Sequence, residues 1–269
     1  YGYVLNLTSY PKRIVSLAPS NTEIRFAVGA GDLVVGVTDY CDYPYNFSAW
    51  ITSGNMTSIG NYWQPAIEPI LALNPDLVLA SGDASSEVAV KLRNLGISTL
   101  ILDASNINGV LQDLFLVGQA TNNTENAKNL VSNLRERIDY VSSTILAANV
   151  TRPKVYDEIW NDPLMSAGPG TFINDLIVIA GGENIFSDAA SDWPIVSSDA
   201  IISKNPDIIL TFSTDVATRS GWSSISAVIN NKIYSLGMDD SIFSRPGPRL
   251  VDGLDLLAKI IHPELFGNP

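Results

Sequence analysis

Two segments about half the chain apart repeat one another. Tyr62-Trp63-Gln64-Pro65-Ala66-Ile67-Glu68, followed by Ile70-Leu71-Ala72-Leu73-Asn74-Pro75-Asp76-Leu77-Val78-Leu79, has its counterpart in Trp193-Pro194-Ile195-Val196-Ser197-Ser198-Asp199 and Ile201-Ile202-Ser203-Lys204-Asn205-Pro206-Asp207-Ile208-Ile209-Leu210. A constant offset of 131 residues carries Asn-Pro-Asp onto Asn-Pro-Asp, Glu68 onto Asp199 and Tyr62 onto Trp193. A single long-period repeat predicts two similar lobes, since a solenoid stacks roughly three or more short ones. Two lobes make a cleft, and clefts are where small ligands bind.

The chain of 269 residues is long enough for two lobes, and 46% apolar against 16% charged residues marks it as globular. Its net charge of -12 argues against nucleic acid as a partner, because no basic face would meet phosphates, and against anionic lipid for the same reason. The longest apolar runs, Leu77 to Ala80 and Leu176 to Ala180, are too short to span a bilayer. Cys41 is the only cysteine, so no internal disulfide forms. Asn-x-Ser/Thr sequons at Asn6, Asn46, Asn55, Asn122 and Asn149 suggest an exported glycoprotein. The chain starts at Tyr1 without Met or signal peptide, as expected of a mature or trimmed form.

Short β-rich runs alternate with helical patterns, which predicts parallel α/β sheets. Strands are expected at Arg13–Leu17, Leu33–Val37, Leu77–Ala80, Thr99–Leu102, Lys154–Ile159 and Ile208–Phe212, and helices from Pro19, over Ile67–Leu73, Phe172–Ala180 and Leu250–Ile261. Ser20 or Asn21 is expected to cap the first helix, with Glu23 completing a capping box. Between Thr121 and Ala148 there is no Gly or Pro, and apolar residues recur every three or four positions from Ala127 to Ile145. A helix of about 25 residues there would be about 37 Å long, enough to tether two lobes. The expected organisation is an N-terminal α/β lobe over 1–120, a connecting helix over 121–148 and a C-terminal α/β lobe over 149–269.

Arg13-Ile14-Val15-Ser16-Leu17-Ala18-Pro19-Ser20-Asn21-Thr22-Glu23 and Asp39-Tyr40-Cys41-Asp42-Tyr43-Pro44, with Ala180-Gly181-Gly182-Glu183-Asn184, Trp193-Pro194 and Arg245-Pro246-Gly247-Pro248-Arg249, resemble the cobalamin-binding proteins of ABC importers. Those belong to the helix-tethered periplasmic receptors for cobalamin, haem and ferric siderophores. The resemblance covers nearly the whole chain. It implies a class III periplasmic-binding-protein-like fold: two Rossmann-like α/β lobes, one long helix, and a ligand cleft between the lobes. It implies capture and delivery rather than catalysis, and no resident cofactor or metal. The expected partners are cobalamin or a related corrinoid and a permease with its ATPase. The expected state is a monomer outside the cytoplasm, on the cell surface or in the periplasm, with the signal or anchor absent from this chain.

By this resemblance the ligand-binding residues are Tyr43, Tyr62, Trp63, Trp160, Trp193, Phe243 and Arg245. A corrin is broad, largely apolar and fringed with amides, so aromatic faces suit it. Arg245 would meet amide oxygens or a phosphate. Trp160 and Asn161 are expected on a loop after a strand, where the family often carries Phe-Gly. Arg249 is expected to pair structurally, and Ser241 stands where some of these receptors carry an Asp. Glu68 and Asp199, one on each lobe, are the expected docking carboxylates for permease arginines, and both also suit a helix N-terminus.

Gly168-Pro169-Gly170-Thr171 precedes a helix and could cradle an anion, but a tight loop is the plainer expectation. Cys41 is expected to be a small buried residue and His262 to meet a helix C-terminus. A receptor for bare Zn or Mn needs converging His ligands, and His262 is the only histidine. A ferric siderophore or haem receptor of the same fold is the alternative. An enzyme lacks support: there is no nucleophile elbow and no His-Glu-x-x-His, and Asp157-Glu158, adjacent on a strand, should point to opposite faces. A surface interaction module would leave the aromatic positions unexplained.

Overall fold

A computed structural model describes residues 4–235 and 241–269 of the protein. The chain divides into two compact units: residues 1–104 with 108–133, and residues 105–107 with 134–269. Unit 1 holds strands β1 (Ile14–Ser16), β2 (Val34–Val37), β3 (Thr57–Ser58), β4 (Leu77–Ser81) and β5 (Thr99–Leu102). Its helices are α1 (Pro19–Ala27), α2 (Phe47–Thr52), α3 (Ile67–Ala72), α4 (Gly82–Asn94) and most of α5 (Ile107–Ala120). Helix α6 (Thr124–Ala148) runs 25 residues and belongs to unit 1 up to Asn133 and to unit 2 from Leu134.

Unit 2 continues with β6 (Lys154–Asp157), β7 (Trp160–Asn161), β8 (Leu164–Met165), α7 (Phe172–Ile179), β9 (Glu183–Asn184), α8 (Ser198–Lys204), β10 (Ile208–Thr211), α9 (Ser226–Ile229), β11 (Ile233–Ser235), α10 (Ser241–Ser244), α11 (Leu250–Ile261) and α12 (Pro263–Phe266).

The strand orders explain the repeat. The unit 1 sheet runs β3-β2-β1-β4-β5 and the unit 2 sheet β9-β6-β10-β11, and every pairing in both is parallel. The order β2-β1-β4-β5 therefore recurs as β9-β6-β10-β11. Even the register agrees: Ile14 faces Leu77 as Val155 faces Ile208, and Leu77 lies 131 residues before Ile208. Strands β1 and β10 are buried throughout, β4 except at Ser81 and β6 except at Lys154.

Asn-Pro-Asp recurs because it closes the same helix-to-strand joint. Asn74 ends α3 at φ 45 and Asn205 ends α8 at φ 47, both in the left-handed region that Asn tolerates. Pro then cannot continue the helix. Asp76 accepts backbone N–H bonds from Lys12 and Arg13 at 2.7 and 2.9 Å, and Asp207 accepts one from Lys154 at 2.9 Å. The motif pins the incoming inner strand to its neighbour.

The capping expectation for α1 fails. Ala18 is the cap residue, no side chain caps it, and the helix starts at Pro19. Proline at the first position has no N–H to satisfy, so the first turn has one orphan donor fewer. Ser20, Asn21 and Thr22 are instead buried at the end of the sheet.

Candidate ligand-binding site

In an open parallel sheet, ligands collect outside the carboxyl ends of strands where the winding reverses. That point lies at β1/β4 in unit 1 and β6/β10 in unit 2. In unit 1 it is filled. Thr22 Oγ1 donates to Ser16 Oγ at 2.8 Å, Ser16 Oγ to the Ala18 carbonyl at 3.0 Å, and Asn21 Nδ2 to the Leu79 carbonyl at 3.2 Å. Cys41 is buried against the Thr22 and Thr38 hydroxyls, with Sγ 3.2 and 3.3 Å away, and behaves as the small core residue expected.

In unit 2 the same point opens into a cavity of about 560 Å³. Asp157, Glu158, Trp160, Phe212, Asp215 and Phe243 are among its walls, with Asn161, Ser213, Thr214 and Ser244. The β7–β8 ribbon lies between β6 and α7, whereas β1 passes almost directly into α1. Trp160 and Asn161 are thus the first strand of that ribbon, not a loop. The Trp160 indole donates to the Asp162 carbonyl at 2.8 Å, and its ring remains 59% exposed.

Trp193 is held from both sides. The Pro194 carbonyl accepts from Ser166 N, Val196 N donates to the Leu164 carbonyl, and Ile195 bridges to Met165. The ring lies edge-on to Phe172 at 6.2 Å and is 40% exposed. The Gly168–Thr171 loop supports this segment. Gly168 N donates to the Asp192 carbonyl at 2.7 Å, and an added Cβ at Gly168 would lie 2.1 Å from the Ser191 carbonyl oxygen. Thr171 caps α7 by accepting from Asn174 N. With the Asp192 carboxylate against Gly170, this is the tight loop and not an anion cradle.

Phe243 is 4% exposed and forms a wall of the cavity rather than a free platform. Arg245, half-buried, is not among the cavity's walls. Arg249 donates to Ser241 Oγ at 2.9 Å, which is the structural pairing expected. His262 is buried at the end of α11. Its ring nitrogens lie 2.8 Å from Glu264 Oε1 and 3.2 Å from the Gly181 carbonyl, so it meets the terminus of α7 rather than only its own helix.

Unit 1 carries an aromatic group of its own. Tyr62 and Trp63 stack at 4.1 Å, and Tyr40 meets both edge-on at 5.7 and 5.2 Å. The loop beneath is fastened by Gln64 N to Asn61 Oδ1, Ala66 N to the Ile59 carbonyl and Ser58 Oγ to Asp39 Oδ1. Trp63, 54% exposed, presents more surface than Tyr62, and Tyr43 is 43% exposed nearby in sequence. Glu68 and Asp199 are exposed in the first turns of α3 and α8.

The feature that sequence reasoning missed is an ion cluster at the cavity. Glu158, 1% exposed, is bound by both terminal nitrogens of Arg219 and accepts from Thr211 Oγ1 at 2.9 Å. Asp215 takes the outer edge of the same guanidinium at 2.9 and 3.3 Å, and its face covers Trp222 at 4.8 Å. Burial pulls Arg219 toward lower pKa, but the hydrogen bonds from Glu158 and Asp215 outweigh it and hold the cation above its ordinary value. The expectation that Asp157 and Glu158 face opposite ways is corrected: β6 ends at Asp157, alternation ends with it, and both border the cavity. Asp157-Glu158 at a strand's carboxyl end, with Asp215 and Arg219 one helical turn apart downstream, was the available signal.

The chain belongs to the periplasmic binding protein family, whose model matches residues 14–239 and whose members are solute-binding proteins, not enzymes. An uncharacterized ABC transporter substrate-binding lipoprotein of Bacillus subtilis, YvrC, is 34% identical over 95% of this chain and 82% of its own length. A cobalamin-binding protein of Halobacterium salinarum is 31% identical over 96% of this chain and 71% of its own. The crystal structure of the periplasmic vitamin B12 binding protein BtuF of Vibrio cholerae matches with a TM-score of 0.79 at 27% identity, covering 93% of this chain and 96% of that one. The periplasmic heme-binding protein RhuT of Roseiflexus also matches at 0.79, with 26% identity over 93% and 98%. The two-lobe α/β fold with parallel sheets and a long helix is thus that of ABC importer substrate-binding proteins.

Proposed function

We propose that the protein captures a corrinoid with the aromatic side chains of both lobes and delivers it to the permease of an ABC importer. The observation that carries this reading is the exposure of flat aromatic surface at matched places in the repeat: Tyr62 and Trp63 before α3, and Trp193 before α8. Tyr43 and Trp160 add to that surface, Phe243 backs it as a buried wall of the unit 2 cavity, and Arg245, outside that cavity's walls, supplies a donor for the ligand's rim. Rigid aromatic rings cover a large apolar ring system at low side-chain entropy cost. The similarity to cobalamin-binding and vitamin B12 binding proteins supports the ligand. The equal fold similarity to a heme-binding protein makes haem the second reading.

The periplasmic and lipoprotein relatives support a place outside the cytoplasm. Among the described residues no helix is long and apolar enough to cross a membrane. Glu68 and Asp199 dock the permease in this reading, each exposed beside its aromatic segment.

Tryptophan fluorescence titration with cyanocobalamin tests the ligand assignment. Trp193→Ala and Trp63→Ala should each weaken binding by about 2 kcal/mol, roughly thirtyfold, as central aromatic contacts do. Unchanged affinity in both variants would sink the aromatic site. Glu68→Arg with Asp199→Arg should abolish uptake by the importer while leaving cyanocobalamin affinity intact. Normal uptake by that double variant would remove the docking role.

A further inference from the structure

Resting on the corrinoid reading above, we infer that the unit 2 cavity selects ligand rims that donate hydrogen bonds without negative charge, amides and hydroxyls foremost, and turns carboxylates away. Among the described residues its walls carry three carboxylates, Asp157, Glu158 and Asp215, and no basic side chain. The remaining polar walls, Asn161, Ser213, Thr214 and Ser244, are neutral.

Arg219 stands behind this surface and is already spent. Its three nitrogens are engaged by Glu158 and Asp215, and its face rests on Trp222. One guanidinium against the two carboxylates Glu158 and Asp215 leaves this cluster with a net negative charge. Arg245 follows the wall residue Ser244 in sequence but does not itself line the cavity. Burial above all, then the charges of Glu158 and Asp157, pushes the neighbouring Tyr156 phenol's pKa up against the opposing pull of Arg219.

A carboxylate entering such a wall meets like charge where water is partly excluded, whereas an amide N–H gains a charge-assisted acceptor. A corrin rim is mostly neutral primary amides. A haem rim carries two propionates. The cavity therefore contributes specificity that the aromatic faces, which cover either ring, do not.

Two matched pairs of probes test this by calorimetric titration of the intact protein. One is cyanocobalamin against the derivative in which a single peripheral amide is hydrolysed to the acid. The other is haemin against its bis-amide. The acid of the corrinoid pair should bind about tenfold more weakly or worse, the cost expected of one like-charge contact. Asp215→Asn, which keeps the shape and removes one charge, should narrow that gap.

Equal binding of cyanocobalamin and its acid, or a gap that Asp215→Asn leaves unchanged, overturns the selection by charge while the corrinoid reading stands. If only the porphyrins bind, the corrinoid reading falls. The bis-amide outbinding haemin would then keep the selection, and haemin binding as well or better would end it. Binding by none of the four overturns both.

Discussion

The two units share one frame and differ at its working end. In unit 1 the carboxyl ends of β1 and β4 are closed by neutral side chains: Thr22 donates to Ser16, and Ser16 and Asn21 donate to the Ala18 and Leu79 carbonyls. In unit 2 the ends of β6 and β10 carry Glu158, Thr211 and Arg219 around a cavity. The β7–β8 ribbon occupies the stretch where unit 1 turns straight into α1. A duplicated frame thus keeps its joints and varies its loops, where binding chemistry can change without touching the core.

The buried acids sharpen the contrast. Glu158 in unit 2 has a cation. Asp113 in unit 1 is 8% exposed, and burial followed by the charge of Asp103 pushes its carboxyl up to about 7. Arg25 in unit 1 is fully buried with no hydrogen-bond partner among the described residues, and burial lowers it to about 10 against the opposing pull of Asp32. Arg25 and Asp113 in unit 1 are thus buried without a neutralising hydrogen bond among the described residues, whereas Glu158 in unit 2 is paired with Arg219.

The largest expected effect is at the unit 2 pair. Arg219→Ala leaves Glu158 buried without its cation and should cost about 3–5 kcal/mol in urea unfolding. Thr22→Val, at the matching place in unit 1, should cost only about 1 kcal/mol, one neutral hydrogen bond. Equal losses would break the comparison.

Next comes a pH signature of opposite sign in the two units. Asp113 has a folded-state pKa above its ordinary value of 3.8. The folded state therefore holds a proton the unfolded chain has released. Its contribution is full below about pH 4 and lost as pH rises toward 7. Asp113→Asn should thus raise stability at pH 8 by about 2 kcal/mol and leave it little changed near pH 4. Asp215 runs the other way. The hydrogen bond from Arg219 holds it below 3.8, so its contribution is present above that value and fades in acid. Thermal melts of Asp113→Asn across this range check the first trend, and a gain at pH 4 as large as at pH 8 would contradict it.

The smallest effect separates the two copies of Asn-Pro-Asp. Asn205 also bonds Ser226 through both side-chain atoms, Oδ1 from the backbone N at 2.8 Å and Nδ2 to Oγ at 2.9 Å. Asn74 donates only to the Ala72 carbonyl, at 3.3 Å. Glycine accepts positive φ freely. Asn74→Gly should be neutral within about 0.5 kcal/mol, and Asn205→Gly should cost about 1 kcal/mol. A reversed order would show that the left-handed turn, rather than the side-chain bonds, dominates at unit 2.

The repeat and the strand pattern made the fold readable. Thr99–Leu102 and Leu250–Ile261 fall where periodicity puts them, and α6 ends at Ala148 as read. Two-residue strands such as β3 and β9 were not readable, because pairing to a neighbour defines them rather than any local pattern. The first cap was misread because Ser20 and Asn21 are equally good core polar residues once Pro19 opens the helix. At the site, exposed Trp63, Trp160 and Trp193 stand out as large aromatics one to three residues before a Pro. The Glu158–Arg219 pair does not, because its partners lie 61 residues apart and meet only through the β6–β10 pairing.

The most direct measurement is calorimetric titration of the intact protein with cyanocobalamin, with haemin and ferrichrome in parallel. The corrinoid account predicts sub-micromolar binding of cyanocobalamin with weaker or no binding of the other two. Tight haemin or ferrichrome binding without cyanocobalamin binding would contradict it and leave a receptor of the same fold with a different cargo.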